Sequence, residues 1–320
     1  MRMKVPRALQ LATLVDAPPA APEWIHEQKF DGYRILAELE DRHVRLSSRR
    51  FKDWTAAFPT VTEAIAKLPV ESAILDGEVA VLLADGRTSF QGLQNSFGNR
   101  SANVVYFAFD LLAEDGEDLT KLPLETRKAR LEALVKRAKS RSIRYSDHVV
   151  GRGDELFELA CKSGLEGIVS KRRDKPYLPG RGASWQKTKC VLRQELVIGG
   201  FTDPDGSRNG IGSLLVGHYE GKRLRYAGKV GTGFSHELLD EIREMLEPLE
   251  RDTAAFDPVP ARAWTGPNRH WVEPRFVCEV QFGEWTDDGR LRHPSFQGLR
   301  LDKSPSEVVR ERAASKTRKR

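Results

Sequence analysis

Glu27-Gln28-Lys29-Phe30-Asp31-Gly32-Tyr33-Arg34 sets one lysine among acids and follows it with a glycine and an arginine. Alone, the octapeptide reads equally as a surface strand end that turns at Asp31-Gly32, since Asp and Gly are turn formers. Asp76-Gly77-Glu78, Glu166-Gly167-Ile168-Val169 and Trp185-Gln186-Lys187-Thr188-Lys189 then follow it in order. Around them the hydrophobic pattern is mixed. Residues 35–46 and 79–83 alternate apolar and polar side chains as strands do, and residues 58–68 between them carry helical spacing. Residues 104–112 are a continuous apolar run closed by Glu114-Asp115-Gly116, which predicts a buried strand ending in a turn. Residues 124–138 and 154–161 predict amphipathic helices.

Residues 16–22, rich in proline and alanine, predict an extended lead-in, with ordered structure starting at Trp24. After Lys189 the texture changes. Residues 195–201, 212–219, 224–230 and 276–285 are short strand-like runs separated by Gly, Asp and Pro, the pattern of a small barrel or sandwich. A boundary near Leu192 follows. The predicted fold class is α+β, a mixed domain over residues 1–191 followed by an all-β domain over residues 192–320.

Composition excludes little. The chain is 39% hydrophobic and 31% charged, and it contains no apolar run near the roughly 20 residues of a membrane helix. With no secretory leader pattern, it reads as a soluble cytoplasmic protein without a membrane partner. Cys161, Cys190 and Cys278 lie far apart, without the close pairs of structural zinc sites, and are expected as free thiols in a reducing compartment. A net charge of +6 is a modest bias toward a polyanion. Lys316, Arg318, Lys319 and Arg320 predict a flexible basic tail adding nonspecific phosphate attraction.

Taken together, the ordered motifs resemble those of the covalent nucleotidyltransferases, which comprise ATP-dependent DNA ligases, RNA ligases and mRNA capping enzymes. The resemblance implies that Lys29 is the nucleophile that takes AMP from ATP. Such an amine must lose its proton near neutral pH, which neighbouring cations or burial promote. Lys187 and Lys189 would supply that field and grip the α-phosphate, whose oxygens gather charge as pyrophosphate leaves. By the same resemblance Glu27 accepts from the adenine amino group, favouring ATP over GTP, and Phe109 stacks on the base. Glu78 holds the ribose, Arg34 and Arg49 lie near the ribose and the nucleic-acid 5′-phosphate, and Glu166, with Glu78 as a second acid, positions a divalent metal. Mg²⁺ (or Mn²⁺) suits oxygen ligands and phosphates. Taken singly, each has a plainer reading: Phe109 as core, Glu78 and Glu166 as solvated turn residues, Arg49 as part of a charged face. Many relatives carry glycine shortly after the motif arginine. Here Phe51 stands there, and because phenylalanine tolerates positive φ poorly, a different local turn is expected.

The C-terminal half narrows the resemblance. Leu291-Arg292-His293-Pro294-Ser295-Phe296-Gln297-Gly298-Leu299-Arg300-Leu301-Asp302-Lys303 looks like the last nucleotidyltransferase motif of bacterial end-joining DNA ligases. Gly199-Gly200-Phe201, residues 228–234 and Trp271-Val272-Glu273-Pro274 resemble the same group, the ligase domain of ligase D and the stand-alone ligase C. This implies a nucleotidyltransferase (adenylation) domain followed by an OB-fold barrel, whose Arg300, Asp302 and Lys303 meet the ATP pyrophosphate, while another face clamps DNA. Read bare, those three residues are a mixed-charge surface turn. The implied partners are nicked or broken duplex DNA, with Ku or another end-binding protein as a further candidate, and the implied form is a monomer, either a minimal two-domain enzyme or an excised domain. An RNA ligase or capping enzyme shares the lysine chemistry, and a noncatalytic nucleic-acid-binding relative shares the fold; both remain alternatives.

Overall fold

The computed structural model describes residues 6, 8–94, 96, 103–204, 210–266 and 268–313. The chain divides into two compact units, Met1–Cys190 and Val191–Glu311. The basic tail residues Lys316, Arg318, Lys319 and Arg320 lie outside the described residues.

Two sheets build the first unit. One has five strands, in the order Gln10–Leu14, Gly180–Lys189, Gly167–Arg172, Trp24–Gln28, His148–Val150. Ordered structure therefore starts before Trp24, correcting the sequence reading. Gln10–Leu14 runs parallel to Gly180–Lys189, and the Gln10 side chain donates to Ser184 Oγ at 2.9 Å. These partners lie far away in sequence, so no local pattern announces the strand.

In the second sheet, Tyr33–Glu40 lies between His43–Ser48 and Ser72–Leu82, and Val104–Glu114 follows. The single strand expected over residues 35–46 is thus a hairpin. It turns at Asp41 and Arg42, which have φ of +50° and +66°. Both values suit the turn that matches strand twist, usually made with glycine or asparagine; without them, alternation runs unbroken through the turn. Ile35, Ala37, Leu39, Leu75 and Leu111 enter one core with Val61 and Ile65 of helix Pro59–Ala66 and Leu131 and Leu134 of helix Leu124–Ala138.

In the second unit, strand Leu192–Thr202 serves two sets of neighbours. Residues 192–197 pair with Val277–Phe282, while residues 197–202 pair with Ser213–Glu220 and, at their end, with Arg269–Val272. A bulge between Ile198 and Gly200 marks the change, and bulges bend strands. Among the described residues this unit also holds helix His236–Leu246, which the sequence reading did not foresee. Ser235 caps it by accepting from the Leu238 N–H, and Ile242 and Leu246 are buried.

The cysteines correct another expectation. Cys161 and Cys190 are disulfide-bonded, with Cα atoms 5.1 Å apart across a sequence separation of 29, and only Cys278 among the three is free. The end of helix Gly153–Lys162 meets the end of strand Gly180–Lys189 in space, which spacing in the sequence does not reveal.

Candidate active site

Strand register gathers the first half of the site. Glu27 lies opposite Val169, which lies opposite Lys187, while Lys171 lies opposite Ile25 and Trp185. Because side chains alternate between sheet faces, Glu27, Val169, Lys171, Trp185, Lys187 and Lys189 share one face. The Lys29 N–H donates to the Gly167 carbonyl at 3.0 Å, extending the ladder to the candidate nucleophile. From the second sheet come Arg34, opposite Glu78, and Phe109. Glu27, Lys29, Arg34, Glu78, Phe109, Lys171 and Trp185 line a cavity of about 130 Å³.

Two glycines make the close approaches that this gathering requires. A Cβ on Gly32 would sit 2.1 Å from the Val79 carbonyl oxygen. One on Gly167, at φ +146°, would sit 2.1 Å from the Thr188 carbonyl oxygen. The glycine beside Lys29 and the one beside Glu166 are therefore required by backbone packing.

At the cavity, Lys29 Nζ donates to Glu166 Oε2 at 2.5 Å, with the two side chains 23% and 4% exposed. Glu166 is thus no solvated turn residue. It stands where the sequence reading expected cations around Lys29; Lys187 and Lys189 are half-buried on the same sheet face, outside the cavity lining. Deeper in, Glu27 is 2% exposed. Its Oε1 accepts from Lys128 Nζ at 2.7 Å, and its Oε2 accepts from Ser146 Oγ at 2.8 Å and Lys171 Nζ at 2.9 Å. Burial works against the Glu27 charge, but the two lysines outweigh it and hold the carboxyl below its usual range. Burial, assisted by Lys128, brings the Lys171 amine down to about 8 against the pull of Glu27.

Arg34 pairs with Asp76 through two hydrogen bonds of 2.9 and 2.6 Å. Burial opposes its charge, yet Asp76 raises its pKa further above the ordinary range. Phe109 joins both its readings: it packs on the cluster of Leu36, Tyr177 and Trp185 and also faces the cavity. Arg49 follows strand His43–Ser48 and lies outside the cavity lining. The expected departure at Phe51 does not occur. Phe51 takes φ +60° and donates to the Ser48 carbonyl at 2.8 Å, so the left-handed turn is kept at a cost of about 1–2 kcal/mol.

The second unit holds Arg300, Asp302 and Lys303 in an ion cluster. Arg300 meets both Asp302 carboxylate oxygens at 2.9 Å and Glu279 at 2.9 Å, and Lys303 reaches Glu195 at 2.8 Å. Asp302 is 6% exposed, which excludes a bare surface turn.

The family model described as "ATP dependent DNA ligase domain" matches residues 10–189, and that described as "ATP dependent DNA ligase C terminal region" matches residues 207–303. The chain belongs to the ATP-dependent DNA ligase family. Among relatives of this ligase chain, "Multifunctional non-homologous end joining protein LigD" of Pseudomonas aeruginosa is 45% identical over 96% of the chain and 37% of that protein. The corresponding Mycobacterium tuberculosis protein is 44% identical over 91% of the chain and 38% of its own length. The ligase chain thus spans little more than a third of these curated relatives. A solved mycobacterial DNA ligase D complexed with ATP and MES is 41% identical with a TM-score of 0.71, covering 95% of this chain and 98% of that one. The α+β adenylation domain followed by an OB-fold unit is therefore the family's arrangement.

One cavity residue and two that hold cavity residues from behind escaped the sequence reading. Lys171 lies two places beyond Val169 on the same strand face, so parity from Gly167 onward contains it. Asp76 stands two places before Glu78 on one strand face and carries the same signal. Lys128, on helix Leu124–Ala138, reaches Glu27 across 101 positions, and no local pattern points to it.

Proposed function

We propose that this chain seals 5′-phosphate/3′-hydroxyl breaks in duplex DNA through a covalent lysyl-AMP intermediate. What supports the reading is the Lys29–Glu166 contact at a cavity that also holds Glu27, Arg34, Glu78 and Phe109. Lys29 Nζ attacks the α-phosphorus of ATP; a phosphorus–nitrogen bond forms and pyrophosphate leaves. The AMP passes to the 5′-phosphate at the break, freeing Lys29. The neighbouring 3′-hydroxyl then attacks that phosphate and AMP departs.

Phe109 and Glu27 seat the adenine, Glu78 and Arg34 the ribose side, Lys187 and Lys189 the α-phosphate, and Arg49 the nucleic-acid 5′-phosphate. Arg300, Asp302 and Lys303 serve the pyrophosphate during the first step. Among the described residues no cluster of three His, Cys, Asp or Glu side chains stands ready for a metal. Mg²⁺ (or Mn²⁺) needs no such cage, since it binds through one or two carboxylates together with substrate phosphates. Glu166 and Glu78 fit that role, and the ion would neutralise phosphate charge.

We place the enzyme in the cytoplasm, where ATP and DNA meet, acting as a monomer with Ku or another end-binding protein assisting capture. The test is sealing of a nicked duplex. ATP should support sealing of DNA nicks, and neither GTP nor a nicked RNA duplex should replace the preferred substrates. Sealing confined to RNA, or labelling by GTP, would move the chain to the RNA ligases or capping enzymes. No turnover with any of these would leave a noncatalytic relative.

A further inference from the structure

Glu166 sits inside a small ring that a disulfide closes. From Cys161 the chain leaves helix Gly153–Lys162 through Ser163, Gly164 and Leu165, and the Glu166 carbonyl then accepts from the Cys190 N–H at 3.0 Å. The Cys161–Cys190 bond completes the ring through the side chains. Cys190 directly follows strand Gly180–Lys189, in which Lys189 lies opposite Gly167. The connecting turn adds little stiffness of its own, because Gly164, at φ +67°, is the residue type with the most backbone freedom to lose. The covalent tie between helix end and strand end therefore bears directly on Glu166, whose carboxylate receives the Lys29 amine.

Both cysteines are half-buried, within reach of a small thiol. The cytoplasm proposed above keeps thiols reduced, and disulfides that form there are as a rule redox-sensing rather than permanent. We infer that Cys161 and Cys190 are a positioning pair for the Lys29 chemistry: as a disulfide they hold Glu166 against Lys29, and as two thiols they release it, so that lysyl-AMP formation follows the thiol poise of the surroundings. This rests on the lysyl-AMP reading above. The switching step is thiol–disulfide exchange. A thiolate of a dithiol reductant attacks one sulfur of the pair, the other cysteine leaves as a thiolate and is protonated, and the reductant's second thiol then displaces the first cysteine. Two electrons and two protons pass to the protein while the reductant becomes a disulfide, and a disulfide oxidant reverses the sequence.

The test measures lysyl-adenylate formation at saturating ATP and Mg²⁺, below the melting temperature of every form, for the oxidised chain, the chain reduced with dithiothreitol and the Cys161→Ser/Cys190→Ser double variant. Reduction and the double variant should each slow it by about tenfold, since misplacing a reacting group by about 1 Å costs on the order of 100-fold, while half-saturation by ATP stays within about twofold. Oxidised glutathione should then restore the wild-type rate and leave the double variant slow. A second measurement needs neither nucleotide nor metal. Acylation of Lys29 by acetic anhydride, read by peptide mapping, should run about three- to fivefold faster in the double variant than in the oxidised chain, the change expected on loosening one ion pair. A bond that serves stability alone would leave the adenylation rate and the Lys29 acylation unchanged in folded protein, which would overturn the inference. So would faster adenylation after reduction. Absence of an adduct from every form, with the acylation difference present, would instead overturn the lysyl-AMP reading itself.

Discussion

Arg34 holds Asp76 by both arms of its guanidinium, Nε to Oδ1 at 2.9 Å and NH2 to Oδ2 at 2.6 Å. Asp76 is wholly buried and also accepts from the Tyr177 hydroxyl at 2.8 Å. Removing one partner of a buried pair leaves the other charge uncompensated, at about 3–5 kcal/mol. Asp76→Ala should therefore lower unfolding stability by that amount in urea titrations. A loss of under about 1 kcal/mol, as exposed pairs give, would contradict the pairing described.

Phe51 supports a second test through its backbone. Glycine adopts positive φ freely, whereas alanine keeps the strain of about 1–2 kcal/mol. Both Phe51→Gly and Phe51→Ala lose the ring's packing on the Leu9, Leu36 and Trp185 cluster. Phe51→Gly should consequently be more stable than Phe51→Ala by about 1 kcal/mol, reversing the usual order. Equal melting curves would mean that the turn relaxes when the ring is removed.

The Cys161–Cys190 bond closes a loop with a sequence separation of 29. Chain-entropy reasoning assigns such a loop about 3–4 kcal/mol of stabilisation. Oxidised protein should exceed the Cys161→Ser/Cys190→Ser double variant by that amount in denaturant titrations. A double variant as stable as the oxidised protein would remove the disulfide from the stability of this unit.

Glu195 predicts an acid limb. Burial opposes its charge, but Lys303 and Arg300 outweigh it and bring the carboxyl from 4.5 down to about 2. A group with a depressed folded pKa contributes stability above its unfolded value and loses it as pH falls through its folded value. Stability should thus decline from pH 4.5 to about 2, and Glu195→Gln should flatten part of that decline. Identical pH profiles would contradict it.

What the sequence revealed follows from the range of each signal. Helices such as Leu124–Ala138 declare themselves by spacing, and the site acids by their order along the chain. Asp41-Arg42 hides a hairpin because its residues satisfy alternation while turning. Gln10–Leu14 and the Cys161–Cys190 pair depend on partners well over twenty residues away. Lys171 was within reach, since strand parity carries it beside Glu27, whereas Lys128 enters only through tertiary packing.

The most direct test is the site of the nucleotide bond. After incubation with ATP and Mg²⁺, peptide mapping by mass spectrometry should find one AMP on the peptide containing Lys29, joined to that side chain. Folded Lys29→Ala should carry none. AMP on any other residue, or on Lys29→Ala itself, would contradict a covalent mechanism centred on Lys29.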